Sequence, residues 1–128
     1  MRSRSWILLF MLLLTGSACG GSRAEAPGPA DSPVLVVVTN NYALAMEISV
    51  IGAGTTHRLG TVDPGMVGRF AVPPGMIGGG PLEFEAQPPP REGVRARAES
   101  GPILIAPGAI VDFVITQRLF NSTATLRR

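Results

Sequence analysis

Residues 82–98 read Leu-Glu-Phe-Glu-Ala-Gln-Pro-Pro-Pro-Arg-Glu-Gly-Val-Arg-Ala-Arg-Ala, and the period of this stretch sets the fold class. In an extended chain successive side chains point to opposite faces, so Leu82, Phe84 and Ala86 share one face and Glu83 and Glu85 the other. After the turn from Pro88 to Gly93 the alternation resumes, with Val94, Ala96 and Ala98 against Arg95 and Arg97. A hairpin pairing Ala86 with Val94 and Phe84 with Ala96 gathers the apolar side chains on one face. It also sets Glu85 beside Arg95 and Glu83 beside Arg97 on the other. Opposite charges across a strand pair contribute roughly 0.2–1 kcal/mol each. Glu83 and Glu85 are therefore read as a solvated ionic face, not as a carboxylate pair for acid/base or metal chemistry.

The same period recurs on both sides. Val34 to Val38 is short, apolar at every position and rich in β-branched residues, which predicts a strand covered on both faces. Asn40 and Asn41 supply a turn. Leu44, Met46, Ile48 and Val50 alternate with Ala45, Glu47 and Ser49 until Gly52, Ala53 and Gly54 interrupt. His57–Val62 and Val67–Val72 are further strands, divided by Asp63, Pro64 and Gly65 and closed by Pro73 and Pro74. Ile103–Ala106 and Ile110–Gln117 flank the turn at Pro107 and Gly108, and residues 121–128, polar in character, are expected to fray. The expectation is an all-β domain over residues 33–120, a small antiparallel β-sandwich of about seven strands. In strand rhythm across residues 34–120 it resembles the immunoglobulin-like and transthyretin-like domains of bacterial envelope proteins. That resemblance implies a fold and no activity.

The N-terminal residues carry a different signal. Arg2 and Arg4 precede an unbroken apolar run from Trp6 to Leu14, the arrangement of a secretory signal peptide over residues 1–18. The run is about half the roughly 20 residues that a membrane-crossing helix needs. Thr15-Gly16-Ser17-Ala18 then leads to Cys19, the only cysteine of the chain. This segment resembles the lipobox of bacterial lipoproteins, with Gly16 where that family most often carries leucine. The resemblance implies cleavage after Ala18, a diacylglyceryl group on the Cys19 thiol and palmitate-class acyl chains holding the protein to the cell envelope. Gly20 stands where lipoproteins retained in an inner membrane resemble one another in carrying aspartate, so an outer membrane is the expected address in a Gram-negative cell. Residues 19–32, small, polar and proline-containing, are expected to form a disordered tether.

Processing changes the charge. The whole chain has a formal net charge of +2; loss of Arg2 and Arg4 leaves nine arginines against nine acidic residues. A near-neutral domain lacks the electrostatic footprint of a nucleic-acid binder. The single histidine, His57, has no neighbouring ligand set of the kind metals require. An active site would need His57, Asp63 and Asp112 to converge. Gly78, Gly79 and Gly80 lead through Pro81 into a strand and not into the helix N-terminus that a phosphate cradle needs. Asn121-Ser122-Thr123 is a glycosylation sequon by chance. No catalytic residue, metal or cofactor is expected. The expected function is a non-catalytic binding or structural module, with a protein partner paired to an exposed edge strand. The alternative is a small-ligand or glycan site on the loops at 73–81 and 88–93.

Overall fold

Val34, Val36 and Val38 are fully buried, whereas Leu35 and Val37 between them point away from the core. The uninterrupted apolar run is thus one strand of a sheet packed on one side only. A computed structural model describes residues 32–90 and 95–127. They form eight strands: β1 Leu35–Asn40, β2 Met46–Gly52, β3 Thr55–Val62, β4 Val67–Ala71, β5 Glu83–Gln87, β6 Ala98–Glu99, β7 Ile110–Ile115 and β8 Thr123–Arg127. One sheet has the order β4-β1-β7-β8, the other β3-β2-β5-β6. The chain is a small β-sandwich. Its pairings are antiparallel except that of β1 with β7, which is parallel and aligns Leu35 with Ile110.

The core lies between the sheets. Met46, Ile48, Val50, Phe84, Ala86 and Ala98 from one meet Val36, Val38, Val111, Phe113 and Ile115 from the other. Phe84 and Phe113 pack at a ring separation of 6.4 Å and an interplanar angle of 39°, the tilted arrangement that aromatic quadrupoles favour. Ala53 and Gly54, both at positive φ, make the two-residue turn from β2 to β3. At the β3–β4 side the sheets close tightly: a Cβ on Gly60 would lie 2.5 Å from the Phe70 ring, and one on Gly68 would lie 2.6 Å from Val62. Phe70 fills the room that these two missing side chains leave.

Four expectations change. The hairpin register is displaced by four residues: Ala86 faces Ala98 and Glu85 faces Glu99, while Val94 lies outside the described residues. Ser100 sets this register, because its hydroxyl accepts the Phe84 N–H at 2.8 Å and its own N–H donates to the Phe84 carbonyl at 2.9 Å. Residues 103–106 make a single bridge, Leu82 to Ile103, in place of a strand; Pro102 and Pro107 bound the segment and cannot donate to a ladder. Residues 123–127 do not fray but form β8, whose five residues pair with β7. Val34–Val38 is covered on one face, not two. The leader at 1–18, Cys19 and residues 20–31 of the tether lie outside the described residues.

Candidate functional site

The two outer faces of the sandwich differ in chemistry. On the β3-β2-β5-β6 sheet, Arg58 reaches Glu47 at 3.0 Å and Thr61 at 3.2 Å. Arg97 bridges Glu85 at 3.4 Å and Glu99 at 3.3 Å, relieving the like-charge contact that the register imposes. These pairs sit at the surface, where an ion pair is worth about 0–1 kcal/mol. Glu85 thus joins an ionic cluster, with Arg97 beside it in the place expected of Arg95 and not beside Glu83.

The other outer face mixes aliphatic and polar side chains, six of each. Register alignment gives three rows across β4, β1, β7 and β8: Ala71, Leu35, Ile110 and Arg127; Arg69, Val37, Asp112 and Thr125; Val67, Thr39, Val114 and Thr123. Leu35 is 38% exposed and Val67 55%. Asp112 and Arg127 form a two-pronged ion pair here, with Nε to Oδ2 at 2.9 Å. Hydrogen bonding from the Arg127 guanidinium holds the Asp112 carboxyl below the usual carboxylate range, against a smaller desolvation effect, and the same contact raises Arg127. The pair is neutral within itself, and exposed Arg69 adds a positive charge at the β4 side of the same face.

The β8 margin of this sheet is an open edge. The N–H of Leu35 donates to Ala109, so the alternate residues Val111 and Phe113 point their main-chain groups at β1, while Ile110, Asp112 and Val114 point theirs at β8. By the same alternation Thr123, Thr125 and Arg127 face β7, and the N–H and C=O groups of Ala124 and Leu126 face outward. No proline or bulge blunts this edge. Leu126 is 43% exposed, and Phe120 in the turn before β8 is 82% exposed.

The remaining candidates do not assemble. His57 is an exposed residue on β3 of one sheet, and Asp112 lies on the outer face of the other. Asp63 follows β3 at its far end, on the order of 20 Å along the strand from His57 at about 3.3 Å per residue. Among the described residues no cluster of three or more metal-ligating side chains occurs. The loop at 73–81 borders a shallow hollow lined by Gly78, Gly80, Leu104, Ile105 and Ala106, and the loop at 88–90 a second one with Arg95 and Arg97. Neither is lined by an aromatic ring; Tyr42 packs half-buried against the core. The aliphatic part of the β4-β1-β7-β8 face escaped the sequence reading because Leu35 and Val37 were assigned a cover within the chain. A signal for β8 was present in the alternation of Thr123, Ala124, Thr125 and Leu126.

These features define a small two-sheet β-sandwich with one ionic outer face and one that carries an aliphatic patch across β4, β1 and β7. No family model matches the chain, and no curated protein matches it. Among solved structures, the NMR structure of a protein from Eubacterium rectale is similar, at a TM-score of 0.47 and 7% identity, over 80% of this chain and 96% of that one. A likeness at that level says nothing about function.

Proposed function

We propose that this chain is a lipid-anchored module of the bacterial envelope that works by binding a protein and not by catalysis. The carrying observation is the asymmetry of the sandwich: β1, apolar at every position from Leu35 to Val38, leaves Leu35 and Val37 on an open face beside Val67, Ile110 and Val114. An aliphatic patch on a sheet that ends in an unblunted edge offers a protein both apolar area to bury and a strand to pair with. Cys19 supports the anchor, since a cysteine alone in an exported chain finds no disulfide partner within it. Two or more acyl chains, at about 0.8 kcal/mol per buried CH₂, hold a protein stably to a bilayer.

The test has two parts. Mass spectrometry of the mature N-terminus is expected to find acylated Cys19; a free thiol, or cleavage elsewhere than after Ala18, removes the anchor. In-cell cross-linking through residues at Val67 is expected to give a discrete protein adduct that V37E abolishes. Its persistence in V37E would remove the aliphatic patch as the binding surface.

A further inference from the structure

We infer that the occupant of the β8 edge is β8 of a second copy of this chain, paired antiparallel about a twofold axis through Thr125. The inference rests on the reading of that edge as a binding surface. Its basis is self-complementarity in hydrogen bonding and in shape. The outward main-chain groups of β8 belong to Ala124 and Leu126, as the β1–β7–β8 ladders require. A twofold centred on Thr125 sets Ala124 opposite Leu126 of the other copy, and Leu126 opposite its Ala124. Each is a pair whose residues exchange both N–H···O=C bonds, so the register satisfies all four outward groups on each strand. Thr125 meets Thr125 between them at a position where no bonds are exchanged and side chains come closest.

The side chains agree with this register. Leu126 aligns with core-facing Val111 yet is 43% exposed, because β8 is the last strand of its sheet. Ala124 of the second copy would lie against it, with room for the larger side chain. Thr123 falls opposite Arg127, whose charge is already met by Asp112, and the two arginines sit at opposite ends of the paired strands. No like charges face each other. The result is an eight-stranded sheet whose two outer faces join through a polar seam of Thr123, Thr125 and Arg127 from each copy. Such a five-residue ladder lies below the roughly 1,200 Å² typical of stable complexes, so the pair is concentration-dependent and gains from anchoring both copies to one surface.

A photo-reactive phenylalanine analogue introduced at Thr125 of the full chain in membranes is expected to give an adduct of twice the chain mass. L126P removes an outward N–H from each copy without touching the bonds to β7, and is expected to reduce that adduct on the order of tenfold or more. An adduct of any other mass overturns the second copy as occupant while leaving the edge a binding surface; no adduct overturns both. Sedimentation of the unsubstituted full chain in detergent gives an independent answer should the labelled chain not fold. A mass rising toward two chains with concentration supports the pair, and one chain's mass throughout overturns it.

Discussion

Asn40 is fully buried and makes three hydrogen bonds with one side chain. Its amide donates to the carbonyls of Leu44 and Val62, each at 2.9 Å, and its Oδ1 accepts the Tyr42 N–H at 2.9 Å. It thereby ties the end of β1 in one sheet to the end of β3 in the other. N40A is expected to cost about 1–3 kcal/mol in urea unfolding, since it strands a buried carbonyl. N40D turns an anion toward two carbonyl oxygens; its deficit at neutral pH should exceed that of N40A and shrink as acid protonates it. Asp112 carries a pH dependence of the opposite kind. Its folded carboxyl releases its proton more readily than the unfolded one, so its contribution is full above about pH 4 and is lost as pH falls through the lowered folded value. D112N should remove that acid-side loss, and stability measured from pH 6 down to pH 2 checks it. Asn40 was legible in the sequence as a turn residue and not as an inter-sheet tie, because its partner Val62 lies on a strand whose place in the other sheet no local pattern encodes.

At the scale of elements, alternation proved a reliable guide to faces and a poor one to register. Residues 94–98 repeat with period two, so pairing Ala86 with Val94, Ala96 or Ala98 keeps every side chain on the same face. The choice fell to Ser100, whose hydroxyl stands in for a ladder carbonyl at Phe84, and to Gly101, whose φ of +71° turns the chain away beyond it. The strands β2, β3, β4 and β7 were legible because each is bounded by Gly, Pro or Asn punctuation. β8 was missed because its outward residues Thr123 and Thr125 are polar and its inward ones, Ala124 and Leu126, are few. Its weight is measurable: truncation before Thr123 removes the three pairs through which β7 exchanges bonds, at about 0.5–1.5 kcal/mol per hydrogen bond. Guanidinium unfolding should show a clear loss, whereas a frayed tail could be removed without effect.

Across the whole molecule, the fold class followed from turn spacing and alternation, while the chemistry of each outer face depended on which strands ended up central. β1 sits in mid-sheet because β7, remote in sequence, returns to lie parallel beside it. One sheet thus joins the two ends of the domain, residue 35 against residue 110, with β4 added from its middle, while the other is built from residues 46–99. Non-local pairing of this kind delays folding, because the loop must close before any contact rewards it. Nascent fragments that stop before Ile110 lack β7 and β8, and pulse proteolysis should find them cleaved at rates typical of an unfolded chain; a resistant fragment of that length would contradict it. The parallel seam therefore acts as a timer: a chain emerging from the ribosome lacks the strands that close its first sheet until nearly all of it has been made.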